Sequence, residues 1–482
     1  MSAWDAFTLT PESRVCVIGA GLCGITCAQA LKVRGIPFDM YEKGSYVGGL
    51  WRYENDNGLS SAYESLFINT SKKRMQYRIF PMPDDYPHYL HHTQLAEYSN
   101  DYVDYFGLRD DIRFRTEVTQ VSPAEDGEWE VTTSSGSCLT YAAVAICNGH
   151  HCKPRWPQMP GHFTGQEMHS HDYRTSDGFE GKQVVVVGFG NSAVDIAVET
   201  SRVSGMTYLS VHRGAHVIPK FVKGKPTDHL STPLTTRLPW AVRRIIQYRP
   251  ALKVINGDLT KFGLPIPDHK LGEAHPTISH DLLSRIGHGR ITPMPGIAEL
   301  LDDKVRFVDG KVVDVDAIIY GTGYDIVFPF ISSDILTVED NKIQLYQRMI
   351  HPDTSGLFFI GLVDVFGAIQ PVAEAQAGWM CDVLQSRIRL PNREGMQQAI
   401  IKTARKMEKR FVPSPRHTIQ IDTLPYMRAL ENQRRGGHFA RRRPEVLYPI
   451  AGGDIKHLNN EVLMRRRRDD SVASSGSLVE HT

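Results

Sequence analysis

No stretch of this 482-residue chain approaches the roughly 20 consecutive apolar residues that a membrane-spanning helix needs, so no span is expected. An excess of one charge is absent too. Lys and Arg number 55 and Asp and Glu 54, and the net +1 gives no field to draw the chain towards nucleic acid or an anionic membrane. Cysteine is scarce: the seven stand at 16, 23, 27, 138, 147, 152 and 381, an odd number without a CxxC pair. A disulfide framework is therefore not expected, and Cys23 and Cys27, spaced CxxxC inside a helical stretch, read as packing residues. The first twelve residues lack both the basic start and the apolar run of a secretion signal, and reduced thiols in a cytoplasmic setting are the simplest reading. Histidines come in close pairs at His91-His92, His150-His151 and His169/His171, but no Cys or carboxylate spacing completes a tetrahedral set, so no metal is expected.

What is present is glycine in two telling places. Arg14 to Ile18 is a short apolar run that ends in Gly19-Ala-Gly21-Leu-Cys-Gly24. A helix-compatible stretch follows to about Arg34, and then a second apolar run from Ile36 to Tyr41 that closes on Glu42. The order strand, glycine turn, helix, strand predicts a βαβ unit. The pattern recurs where Val184–Val187 runs into Gly188-Phe-Gly190-Asn-Ser-Ala193, a helical stretch, and a strand from Thr207 to Val211. The two turns start 169 residues apart, too far for the halves of one small sheet. The expected fold is α/β, with two Rossmann-like dinucleotide-binding domains and the second inserted into the first. The first covers 1–165, the insert 166–315, and the first resumes over 316–450 with C-terminal helices. The charged residues 451–482 read as a flexible tail.

Each glycine of such a turn has a task. The first permits the tight bend, the second lets a pyrophosphate approach the backbone, and the third lets helix and strand pack closely. The helix N-terminus then offers free N–H groups to the phosphates. The two turns differ in the residue that meets the ribose. Glu42, 23 residues past Gly19, suits the ribose hydroxyls of FAD and repels a 2′-phosphate. Arg213, 25 residues past Gly188, offers forked donors to the 2′-phosphate of NADPH, although a surface charge at a strand end would look the same. Asn191 and Ser192 open the second helix, where they either bind phosphate or cap the helix. Two such sites point to hydride transfer from NADPH to a bound flavin, which then reduces a disulfide, passes electrons on or reacts with O2.

Between the two units, Phe163-Thr-Gly165-Gln-Glu-Met-His169-Ser-His-Asp-Tyr173-Arg174 fits the pattern FxGxxxHxxxY(K/R). This resembles the fingerprint of the flavin-containing monooxygenases, within the class B flavoprotein monooxygenases; the related Baeyer–Villiger enzymes usually carry Trp where Tyr173 stands. Val47-Gly-Gly49-Leu50-Trp51-Arg52 resembles the family's loop beside the isoalloxazine. Ser65 to Met75 resembles the segment that carries its active-site asparagine, here Asn69 followed by Thr70. Gly188–Ala193 and Arg213–Pro219 resemble its NADPH segment, and Gly321-Thr322-Gly323-Tyr324 a later stretch. The likeness runs over about residues 12 to 390.

The resemblance implies an NADPH- and O2-dependent monooxygenase that acts through a C4a-hydroperoxyflavin on a soft amine nitrogen or a sulfur. A Baeyer–Villiger reaction on a ketone, an NADPH oxidase or reductase, and a cofactor-binding protein without turnover are the alternatives. It further implies that Asn69 lies near the flavin and bound NADP+, against the reading of a turn asparagine, and that His169 and Tyr173 couple the domains. A homodimer is an expectation of the same kind. One departure stands out: Gly361-Leu-Val-Asp364-Val-Phe-Gly367 replaces a glutamine-containing GLxQPxG and puts the substrate pocket in doubt.

Overall fold

The computed structural model describes residues 3–4, 7–230, 238, 240–248 and 257–436. The chain begins with β1 (Val15–Ile18), α1 (Leu22–Val33) and β2 (Phe38–Tyr41), followed by β3 (Ile112–Arg113) and β4 (Ala143–Ile146). It then builds β5 (Gln166–His169), β6 (Gln183–Val187), α2 (Asn191–Thr200), β7 (Met206–Ser210), β8 (Ile291–Met294) and β9 (Ala317–Tyr320). It closes with β10 (Ile350–His351), β11 (Thr354–Phe359), α3 (Gln370–Leu384) and α4 (Arg393–Arg410).

These strands form two sheets. The first has the order β10-β11-β4-β1-β2-β3, parallel apart from β10, and the second is the all-parallel β5-β9-β6-β7-β8. β1, β2, β4 and β9 are buried along their whole length, as parallel strands covered on both faces must be. Their apolar runs therefore do not alternate. α1 is buried from Gly24 to Leu31 because the sheet lies on one side and α3 on the other, with Trp379 of α3 fully buried in the same core.

The second unit ends later than the sequence suggests. Resumption of the first unit was expected at 316, but β9 pairs with β5 and β6 inside the second sheet. A short buried apolar strand reads alike in either sheet, so periodicity could not assign it. A three-stranded antiparallel sheet is formed by Val118–Pro123, Trp129–Thr133 and Cys138–Tyr141. The aromatic-rich stretch 86–105 packs as core, with Tyr98 and Tyr102 fully buried. Among the described residues no helix is long and apolar enough to cross a membrane. The stretch 451–482 lies outside the described residues.

Candidate active site at two glycine turns

The first turn is packed tightly between β1, α1 and the end of β4. Gly19 has φ +97°, a conformation that favours glycine, and a Cβ there would lie 3.0 Å from the Cys147 carbonyl oxygen at the end of β4. A Cβ on Gly24 would lie 1.8 Å from the Gly19 carbonyl oxygen, so only glycine lets α1 start so close to β1. Gly21 N-caps α1 without a side-chain hydrogen bond, which leaves backbone N–H groups free, and its nearest neighbour is Gly49 Cα at 3.7 Å from the Cβ position. Gly48 N–H donates to Ala20 O at 3.0 Å and so brings the one-turn helix Gly49–Trp51 beside the glycine turn. Asn55 Nδ2 donates to Gly49 O at 2.9 Å and Ser60 Oγ to Leu50 O at 2.9 Å, which fixes that loop.

Glu42 is buried at the end of β2. Its carboxylate accepts from Ala20 N–H at 2.7 Å, Gly44 N–H at 2.9 Å and Asn57 Nδ2 at 3.2 Å. A carboxylate offers about four acceptor sites, so room remains for one ribose hydroxyl. Free helix N–H groups, a cradle that a Cβ would fill and a buried acceptor at the strand end fit the adenosine diphosphate half of FAD.

The second turn is assembled from distant segments. Gly188 has φ +121°, and its Cβ would stand 2.6 Å from the Gly321 carbonyl oxygen just past β9. The third position is Ala193, accepted because Gly321 lies opposite: a Cβ on Gly321 would come within 2.6 Å of the Ala193 methyl. Asn191 and Ser192 do not cap α2. The cap is Gly190, without a side-chain bond, while Asn191 Oδ1 accepts from Ile278 N–H at 2.7 Å and Ser192 is exposed. Thr277 Oγ1 donates to Phe189 O. Thr322 Oγ1 donates to Arg155 O at 2.6 Å, so it braces the loop after β4. Arg213 follows the end of β7 as expected, and its Nε reaches both carboxylate oxygens of Asp268 at 2.9 and 2.8 Å. Hydrogen bonds from Arg213 and His269 hold the Asp268 carboxyl at about 2. Sequence reasoning missed Asp268, 55 residues from its partner. The arginine is 42% exposed, which suits a group that meets a phosphate arriving from solvent.

The segment 60–72 joins the two units. Tyr63 OH donates to Asp195 of α2 at 2.9 Å, and Ser65 Oγ to Glu199 at 2.6 Å. Burial pushes the Asp195 carboxyl up to about 6, against attraction from Lys220. Ser71 N–H donates to Asp228 at 2.7 Å, and Lys220 Nζ to Ile68 O at 3.4 Å. Between these anchors sits Asn69. Among the described residues its side-chain oxygen is buried without a hydrogen-bond partner. A turn asparagine commonly bonds its own backbone through that oxygen, and Asn69 makes no such bond. A buried, unpaired amide oxygen is instead an acceptor waiting for a donor.

The fingerprint residues lie at this junction. His169 ends β5, buried, with its ring 5.3 Å from that of Tyr324, and burial lowers its pKa. Tyr173 is buried 5.9 Å from Tyr63. Arg174 donates to the carbonyls of His171, Tyr173 and Ser60 at 2.7, 3.0 and 3.1 Å. Among the described residues no three His, Cys, Asp or Glu side chains come together to hold a metal.

The flavin-binding monooxygenase-like family profile matches residues 12–435. The chain belongs to that family. Flavin-containing monooxygenase 5 of Rattus norvegicus is 36% identical over 436 residues, covering 86% of this chain and 81% of the relative. Dimethylaniline monooxygenase [N-oxide-forming] 2 of Oryctolagus cuniculus is 34% identical over the same shares. Among solved structures, S-allyl-L-cysteine S-oxygenase from Allium sativum superposes with a TM-score of 0.66 at 24% identity, covering 94% of this chain and 99% of that one. An open structure of cyclohexanone monooxygenase gives 0.65 at 17%, covering 88% and 98%. The two sheets are thus the two Rossmann-type domains of a flavin monooxygenase. The protein is an FAD-containing, NADPH-dependent monooxygenase.

Proposed function

We propose that this flavin-binding monooxygenase-like enzyme transfers one atom of O2 to the nitrogen of a small amine or the sulfur of a sulfide. The observation that carries the reading is Asn69, among the described residues a buried acceptor without a partner, on a segment of the first unit held by Asp228 and Lys220 of the second. Bound flavin, once reduced, supplies the oxygen chemistry; the chain's own groups bind, orient and exclude water. Gly19, Gly21, Gly24 and Glu42 hold the adenosine half of FAD, and Gly49, Leu50 and Trp51 border its ring. Gly188, Gly190 and Arg213 hold NADPH, with Asn191 and Ser192 at the start of the helix and Thr322 bracing the wall. Asn69 accepts a hydrogen bond from bound nicotinamide cofactor, with Thr70 beside it, and keeps it near the flavin. Support for a soft nucleophile comes from Tyr173 in the fingerprint and from the rabbit relative, whose name specifies N-oxide formation. Seven unpaired cysteines favour a reducing compartment, the cytoplasm.

The test supplies NADPH and O2 with a thioether, a tertiary amine and a cyclic ketone, and measures products against NADPH consumed. Sulfoxide or N-oxide should account for most of the NADPH. Lactone as the only organic product, or hydrogen peroxide alone, overturns the reading. Asn69→Ala should lower coupled product by roughly tenfold or more, the scale of a lost hydrogen bond to a charged or reacting group. Unchanged coupling would remove Asn69 from the site.

A further inference from the structure

The segment 411–421, beyond the motifs recognised in the sequence, straps the two units together over the second glycine turn. Val412 N–H donates to Glu273 O at 2.8 Å, and His275 N–H to His417 Nε2 at 3.4 Å, on the NADPH side. Gln420 and Ile421 pair in parallel with Asp364 and Val365, on the FAD side. Arg348 donates to Thr418 O at 3.0 Å. Within the strap Ser414 Oγ accepts from Arg416 N–H at 3.2 Å, and His417 N–H donates to Ser414 O at 3.0 Å. This tight turn aims Arg416 at α2. One guanidinium nitrogen lies 3.4 Å from the Cβ position of Gly190, the cap of that ten-residue helix.

Arg416 is exposed, and that placement is mildly unfavourable in the protein alone. A helix N-terminus carries about half a positive charge, so a cation there is repelled. Gly190 provides no side-chain acceptor, and Asn191 turns its oxygen to Ile278. Among the described residues Arg416 has neither an ion-pair nor a side-chain hydrogen-bond partner. Asp364, the departure noted in the sequence, pairs with Gln420 of the strap; burial pushes its carboxyl up, and the opposing pull of His275, Arg416, His150 and His151 outweighs it and holds the carboxyl below its ordinary value. Guanidinium and helix terminus become mutually favourable only when an anion lies between them.

We propose that Arg416 is a ligand for the pyrophosphate of NADPH, delivered across the second glycine turn by the C-terminal strap. The inference rests on the assignment of NADPH to this turn and adds a residue that no glycine pattern announces.

Titration calorimetry on the FAD-loaded enzyme separates the two. The probes are NADP+, NAD+ and 2′-AMP, which carry pyrophosphate and 2′-phosphate, pyrophosphate only, and 2′-phosphate only. Arg416→Gln should weaken NADP+ and NAD+ alike by roughly 10- to 100-fold and leave 2′-AMP unchanged. Arg416→Lys should recover part of the loss and shows that the strap still folds. Arg213→Gln should do the converse, weakening NADP+ and 2′-AMP but not NAD+. Unchanged NADP+ affinity in Arg416→Gln, or an equal loss for 2′-AMP, overturns the proposal. A wild-type enzyme that binds NADP+ no better than NAD+ would instead defeat the NADPH assignment itself.

Discussion

The two glycine turns share a pattern and differ in how they are built. The first draws mostly on its own βαβ unit, where Glu42 bonds back to Ala20 and Gly24 rests on Gly19, with the Cys147 carbonyl past β4 and the nearby residues Gly48 and Asn57 completing it. The second borrows Gly321 from past β9, Thr277 and Ile278 from beyond β7, Asp268 for its arginine and Arg416 from the strap. A turn that seats a permanent cofactor gains from rigidity. A turn that admits and releases a co-substrate at every cycle gains from parts that separate.

The sharpest way to break this comparison is Gly24→Ala. Its methyl would collide with backbone that cannot retreat, so the variant should lose bound FAD entirely or fail to fold. The flavin-to-protein absorbance ratio measures this, and soluble, fully yellow protein would refute the account. A second test concerns the seam between the units. The Asp195 carboxyl is raised from an ordinary value near 3.8 to about 6 by burial. A raised carboxyl binds its proton more tightly in the folded state, so its stabilising contribution is complete below about pH 3.8 and is lost as pH rises through about 6. Over that window wild type should lose on the order of 3 kcal/mol that Asp195→Asn does not. Melting temperatures of both proteins at pH 4.5 and pH 7 check it, and parallel curves would place the carboxyl in solvent. The smallest effect is expected from Ala193→Gly in the second turn. Gly321 already provides the clearance, so only helix propensity is lost, about 1 kcal/mol, and NADP+ affinity should change less than about threefold. A large loss there would mean that the second turn is as tightly built as the first.

These differences also mark what the sequence disclosed. Gly19, Gly24, Glu42, Gly188 and Arg213 were legible because strand, turn and helix are local, with spacing set by the geometry of one βαβ unit. Asp268, Asp195, Lys220 and Arg416 were not, because their partners lie 55 or more residues away, where no periodicity reaches. Asn69 stood between: its type and neighbours suggested a role, but its buried, unpaired oxygen is visible only in the structure. The misplaced return at 316 has the same origin, since β9 is buried on both faces and carries no mark of its sheet.

The adjacency of β5 and β9 has a consequence for engineering. The chain enters the second sheet on β5 and leaves it on β9, with Gln166 beside Ala317 and His169 beside Tyr320 in register. Because the two strands are parallel, the entry at Gln166 and the exit at Tyr320 lie on neighbouring strands but at opposite ends of them, about 10 Å apart along the strand. Exchanging residues 166–320 for the matching block of a relative alters the chain only on these two adjacent strands. Nicotinamide preference should therefore be graftable without rebuilding the flavin scaffold.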